Sequence, residues 1–265
     1  MMPAGPTTDR ASVTSSFTLV KGAMIDETYA VFAAWDWSRT KRQNLDELRR
    51  TNSIGAKSAT WLRDVAKVVN RRFDPEGRDR PLVQLAQSHC ELHVWKPLLL
   101  WHITRDEFLL RDFLLHWLYP RREDGTFRLR PDDLVPWLGG IEARGGVVEH
   151  AWSESTTHRV AVGLLKMATD FGLLRGSIAR EFASYHLPEA SFLYLLHAIR
   201  DQEGSPRKTL DSAEWRLFLL RPHEVEQELL HLHQYRKLDY QVAGSLVELT
   251  LPCATAPEYA QRMVA

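Results

Sequence analysis

Apolar residues recur at three- and four-residue spacing through most of the chain, which predicts a mainly helical protein. Across 17–35 the side formed by Met24, Ile25, Thr28, Val31, Phe32 and Trp35, with Asp26 and Glu27 near the start, predicts one packing helix. A charged connector over 36–44 leads to a short helix over 45–50, a break at Asn52, Ser53 and Gly55, and a longer helix over 58–73. Short helix, glycine-containing turn and longer helix is helix-turn-helix spacing. On the longer helix Leu62, Val65, Ala66, Val69 and Phe73 gather on one side, while Arg63, Lys67 and Arg71, at i, i+4 and i+8, gather nearly opposite.

The middle, 81–119, is aliphatic and aromatic with few breakers and predicts two helices at the centre of the fold. Asp124-Gly125, Gly139-Gly140 and Gly145-Gly146 mark loops or a domain border over 120–130 and 138–150. From Trp152 the periodicity sharpens. Ser153 or Ser155 can cap a helix carrying Val160, Leu164, Met167 and Phe171 and ending at Gly172. A second helix follows, with Pro188 near its start and Gly204 past its end, on which Phe192, Leu195, Leu196 and Ile199 form the stripe. Asp211 with Glu214 reads as a capping box opening a helix through Leu219, and Pro222 opens another bearing Val225, Leu229 and Leu232. Then the period changes to two: Leu238, Tyr240 and Val242, then Val247, Leu249 and Leu251, predict a β-hairpin turning at Ala243-Gly244. Helices closed by a hairpin predict a C-terminal winged-helix-like unit. The organisation expected is a flexible leader over 1–16, a helix-turn-helix-like unit over 17–80, a helical core with loops over 81–150, and the winged-helix-like unit over 151–265.

Composition changes this picture in three places. Hydrophobic residues at 44% with nine tryptophans describe a chain able to offset its ordering entropy, so a folded protein is expected. Cys90 and Cys253 form no C-x-x-C pair, which fits a reducing cytoplasm, and 1–16 has no signal-peptide pattern. The net charge of zero conceals an asymmetry: 39–80 holds twelve basic and six acidic residues, leaving it at +6 and the remainder at −6. That separation points to a localised anionic partner. The most apolar run, 97–103, is followed by Arg105, Asp106 and Glu107, too short a stretch for a membrane span of about 20 residues.

Several constellations bear on catalysis. His89 and His93, four apart, would share a helix face and could hold a metal, though without the glutamate of a metalloprotease motif. His231 and His233, two apart, would point to different sides. Asp106, Glu107 and Asp112 could serve as nuclease carboxylates, but Arg105 and Arg111 beside them favour helix ion pairs. No phosphate loop, dinucleotide fingerprint or nucleophile elbow is present. No catalytic residue, metal or cofactor is therefore expected. Trp61 and Trp152 could stack on bases, but buried anchors are the commoner use of tryptophan.

The cationic helix face carries the strongest functional signal, because spaced Lys and Arg can meet successive phosphates and release counterions. Lys57, Arg63, Lys67, Arg71 and Arg72, with Arg49 and Arg50, are the expected DNA contacts, and His158, Arg159 and Lys166 form a weaker second surface. Phosphate contact follows from this pattern and base readout does not.

KGAMIDETYAVFAAWD from Lys21, NSIGAKSATWLRDVAKVVNRRF from Asn52, WSESTTHRVAVGLLKMATDFGLLRG from Trp152 and LDYQVAGSLVELTLP from Leu238, taken in order, resemble the BrxA family of bacterial BREX phage-defence systems. The resemblance implies a non-enzymatic, cytoplasmic, mostly helical protein that binds DNA and acts beside a methyltransferase, a phosphatase-like protein and an ATPase; double-stranded DNA is the partner expected from the cationic helix face. The resemblance also implies a likeness to the helical NusB fold in part of the chain. It carries over no catalytic residue and no mapped phosphate contact. Two alternatives remain: a protein-interaction scaffold of the defence complex, and a metal-dependent hydrolase using His89, His93 or Asp106.

Overall fold

A computed structural model describes residues 12–244 and 246–264. It is mainly helical, with two small antiparallel hairpins. Of the leader expected over 1–16, residues 1–11 lie outside the described range. Val13 forms a parallel bridge with Val147, and Ser15 caps the first helix by accepting the Thr18 N–H.

The single helix expected over 17–35 is two: α1 (Ser16–Lys21) and α2 (Ile25–Ala33). Gly22 and Met24 hold positive φ angles of 83° and 51° between them. The break exposes carbonyls that need donors, and they find them in the Arg72 guanidinium, described below.

The next pair is α3 (Lys41–Thr51) and α4 (Ala59–Arg72). α3 begins four residues earlier than its apolar pattern suggests because Thr40 and Gln43 form a capping box. Asn52, in the left-handed region at φ 51°, ends it. Ser58 caps α4, whose inner face buries Leu62, Val65, Ala66, Val68 and Val69.

The central aliphatic stretch divides further than the two helices expected. α5 (Arg80–Gln87) and α6 (Leu92–Ile103) are separated at His89, which adopts φ 60°. α7 (Phe108–Asp112) continues through a π-helical turn (Phe113–Leu118) into α8 (Tyr119–Glu123). Trp95 lies at the centre of this layer, fully buried, edge-on to Tyr29 and Phe32.

α9 (Pro131–Leu138), a 3-10 turn (Glu142–Arg144) and α10 (Glu154–Asp170) follow. Ser153 caps α10, as its spacing predicts. Next comes a hairpin the sequence reading missed: β1 (Leu174–Arg175) paired with β2 (Glu181–Phe182). Arg180 at its returning strand forms an antiparallel bridge with Leu129, the two residues exchanging N–H to carbonyl bonds of 2.8 and 2.9 Å. The strand order is thus the Leu129 segment, β2, β1.

α11 (Glu189–Glu203) ends at Gly204 in the left-handed region, as expected, and α12 (Pro206–Asp211) succeeds it. Ser212 caps the following 3-10 turn (Ala213–Phe218), so the capping box assigned to Asp211 and Glu214 does not form. Glu214 is instead buried between arginines. α13 (Pro222–Gln234) leads to the expected hairpin, β3 (Asp239–Ala243) and β4 (Leu246–Thr250), in the register Val242 opposite Val247. α14 (Ala256–Met263) packs on α11 and α5. The buried apolar side chains, from Leu19 to Ala260, form one continuous cluster. No helix among the described residues is long and apolar enough to cross a membrane.

Candidate nucleic-acid interface

The amphipathic pattern of α4 survives into the structure with one exception. Arg63 and Lys67 are exposed opposite the buried Leu62, Val65, Ala66 and Val69, as the spacing requires. Arg72 is the exception. It is fully buried: its Nε donates to Glu107 Oε1 at 3.0 Å, its Nη1 to the Gly22 and Ala23 carbonyls at 2.9 and 3.2 Å, and its Nη2 to the Thr18 carbonyl at 2.9 Å. The expectation that Arg72 contacts phosphate is therefore corrected. Facing the core one position past Arg71, its guanidinium supplies donors to the break between α1 and α2 and has none to offer solvent.

Arg71 is half-buried and donates to the Val13 carbonyl at 2.7 Å. Lys67 Nζ lies 4.1 Å from the centroid of the Phe17 ring, a cation–π distance that leaves the ammonium at the surface. Lys57 is exposed in the turn before α4. Arg49 and Arg50 are exposed at the end of α3, each beside an acid three residues earlier: Arg49 with Asp46 at 2.9 Å, Arg50 with Glu47 at 2.6 Å. On α10, Arg159 is exposed with no carboxylate within ion-pair distance among the described residues, His158 lies 3.6 Å from Asp132, and Lys166 pairs with Asp170 at 2.6 Å.

α1 lies between the two cationic helices and touches both. Lys67 and Arg71 of α4 meet its residues Phe17 and, just before it, Val13, while Lys21 pairs with Asp64 at 2.6 Å. On the other flank α10 approaches so closely that a Cβ at Gly163 would lie 2.4 Å from the Leu19 carbonyl oxygen. Open clefts at either end of α1 are shared by both helices. One, of about 360 Å³, is lined by Lys21, Trp61, Lys96 and Lys166; the other, of about 470 Å³, by Arg71, Trp152, Ser153 and Thr156. Sequence spacing places charges on one helix at a time and could not show this adjacency.

The alternative chemistry fares differently. His89 lies between helices and His93 on α6, so the shared helical face expected of an H-x-x-x-H pair does not exist. Among the described residues no group of three His, Cys, Asp or Glu side chains is arranged to hold a metal. Asp106, Glu107 and Asp112 each pair with a different arginine: Arg78 at 2.9 Å, Arg72 at 3.0 Å and Arg144 at 2.7 Å.

A buried polar chain was invisible to sequence reading. The Tyr194 hydroxyl donates to His102 Nε2 at 2.9 Å, and His102 Nδ1–H donates to Asp79 Oδ1 at 2.6 Å. Arg78 donates to Asp79 at 2.8 Å. Burial pushes the His102 imidazole down towards its neutral form. Burial also opposes a charge on Asp79, but the His102 and then the Arg78 hydrogen bonds outweigh it and hold the carboxyl below its ordinary range. With tyrosine and histidine fully enclosed, the chain joins α5, α6 and α11 inside the core.

The chain matches the model of the BrxA family over residues 15–198. Three of the four stretches that carry the resemblance lie inside this range, and the β3–β4 hairpin lies beyond it. No protein of curated description matches. The chain belongs to the BrxA family, and that membership supports a role associated with BREX phage defence.

Proposed function

We propose that the protein is a non-enzymatic DNA-binding component of a BREX defence system, holding duplex DNA by its phosphates. The observation that supports the reading is the junction at α1, where Lys67 and Arg71 of α4 and Gly163 of α10 meet α1 or the residues just before it. Lys57, Arg63, Lys67 and Arg159 are exposed and have no carboxylate within ion-pair distance among the described residues, so they are the cations best placed to reach phosphates. Arg49, Arg50, His158 and Lys166 would add contacts by exchanging an acidic neighbour for phosphate.

A second feature supports the reading. The Leu129 segment, α9, α10, β1 and β2 follow one another in the order of strand, two helices and hairpin that winged-helix units use, with Arg175 and Ile178 exposed on the hairpin. This unit lies earlier in the chain than the C-terminal one expected from the β3–β4 hairpin, and it includes α10, on which the second cationic surface was expected.

The test is the salt dependence of binding to a fluorescent duplex. Four phosphate contacts predict that log K falls against log[salt] with a slope of about −3.6. Absence of a complex, or one insensitive to salt, removes the proposal. The scaffold alternative would then stand, with methyltransferase, phosphatase-like and ATPase components of the system as the partners to capture.

A further inference from the structure

The π-helical turn Phe113–Leu118 is the only one among the described residues, and it borders a cavity that the DNA-binding reading does not use. Such turns interrupt the regular ladder at some cost and recur at functional sites. His116 is the one exposed side chain within it. The cavity, of about 270 Å³, is lined by Phe108, Arg111, Asp112, Leu115, His116 and Arg144.

Its charges do not balance. Arg111 donates to Glu214 through Nη1 and Nη2 at 3.1 and 2.5 Å, and Arg105 donates to the same carboxylate. Arg144 donates from Nε to Asp112 at 2.7 Å. The lining itself thus holds two guanidinium groups and one carboxylate, Asp112; Glu214, outside the lining, is shared between Arg111 and Arg105, and Arg144 Nη2 is buried with no hydrogen-bond partner among the described residues. Burial opposes a charge on Glu214, but the hydrogen bond from Arg111 and the charge of Arg105 hold it below the ordinary carboxylate range, so it stays ionised at neutral pH without neutralising both arginines. Partly buried cations in excess are stabilised by an anion, and guanidinium geometry suits a planar or tetrahedral oxyanion. Phe108 and Leu115 give the same cavity apolar walls.

We propose that this cavity binds a small organic oxyanion, a phosphate or carboxylate on a compact apolar body, with Arg111 and His116 at the anionic group and Phe108 and Leu115 at the apolar part. The volume admits a single ring and its charged substituent, below the range of drug-sized ligands. Such a site would give the protein a small-molecule input separate from its cationic helices.

The test is titration calorimetry on the full chain with phenyl phosphate, benzoate and inorganic phosphate, backed by thermal unfolding. The proposal expects saturable binding and a raised Tm with phenyl phosphate or benzoate, and weaker binding of inorganic phosphate, which leaves the apolar walls uncovered. His116→Glu places a carboxylate at the mouth and should weaken binding by about tenfold or more, the loss expected for one charge-assisted contact. His116→Arg should retain it. Because His116 is exposed, the ligand-free Tm of both variants should stay near that of the parent. No saturable binding of either aromatic anion, undiminished binding by His116→Glu, or displacement of the anion by short duplex DNA would each overturn the assignment.

Discussion

Arg72 and Glu107 meet at 3.0 Å with both side chains shut off from solvent, linking the end of α4 to the residue just before α7 while the same guanidinium holds three carbonyls of the α1–α2 break. Removing one partner of such a pair strands the other charge in a low dielectric. Arg72→Ala should therefore destabilise the protein by about 3–5 kcal/mol in denaturant titration. Arg72→Met with Glu107→Leu should recover only part of that loss, because the carbonyls of Thr18, Gly22 and Ala23 still lack their donors.

Gly163 allows α10 to lie against α1. Gly163→Ala inserts a Cβ at 2.4 Å from the Leu19 carbonyl oxygen, closer than any real contact, so the helices must part. A loss of about 1–3 kcal/mol is expected, as for other overpacked sites. Because α1 also holds Phe17 beneath Lys67, this variant should weaken DNA binding even at temperatures where it remains folded. Unchanged affinity in a folded Gly163→Ala protein would separate α1 from the interface.

Acid should destabilise the fold in two stages. His102 and His197 are depressed by burial below the ordinary 6.5, His197 to about 4. Below pH 6.5 the unfolded chain takes up protons that these imidazoles refuse in the fold, so stability falls as pH falls towards 4. Asp79 and Glu214, depressed in the fold, add stability that is present above the ordinary carboxylate range and lost as pH falls through their folded values. His197→Phe should shrink the first stage, leaving the part that His102 contributes, and leave the second unchanged. An unfolding free energy constant between pH 7 and 4.5 would contradict this.

What the sequence revealed and what it hid divide along physical lines. Helix ends and a turn signposted by local chemistry were legible: Ser153 before α10, Gly204 after α11, and Gly244 in the turn of β3–β4. Each is a device acting over four residues. The errors came where a distant group decides the local outcome. Residues 17–35 have continuous helical periodicity, yet Arg72, about fifty residues on, stabilises a break at Gly22. Arg72 looked like the last cation of a solvated face because periodicity cannot tell a phosphate contact from a buried donor. The β1–β2 hairpin was missed because each strand pairs over two residues, too few to show alternation. Gly176, at φ 95° in a place where a Cβ would lie 2.6 Å from the Ala179 carbonyl oxygen, was the local signal that could have revealed it.

The most direct measurement compares salt slopes for duplex DNA binding in the parent, in Arg63→Glu with Lys67→Glu, and in Arg159→Glu. If α4 and α10 present one phosphate-binding side, the double variant should flatten the slope by about 1.8 and the single one by about 0.9, with the losses adding when combined. Slopes identical to the parent in folded variants would contradict the account.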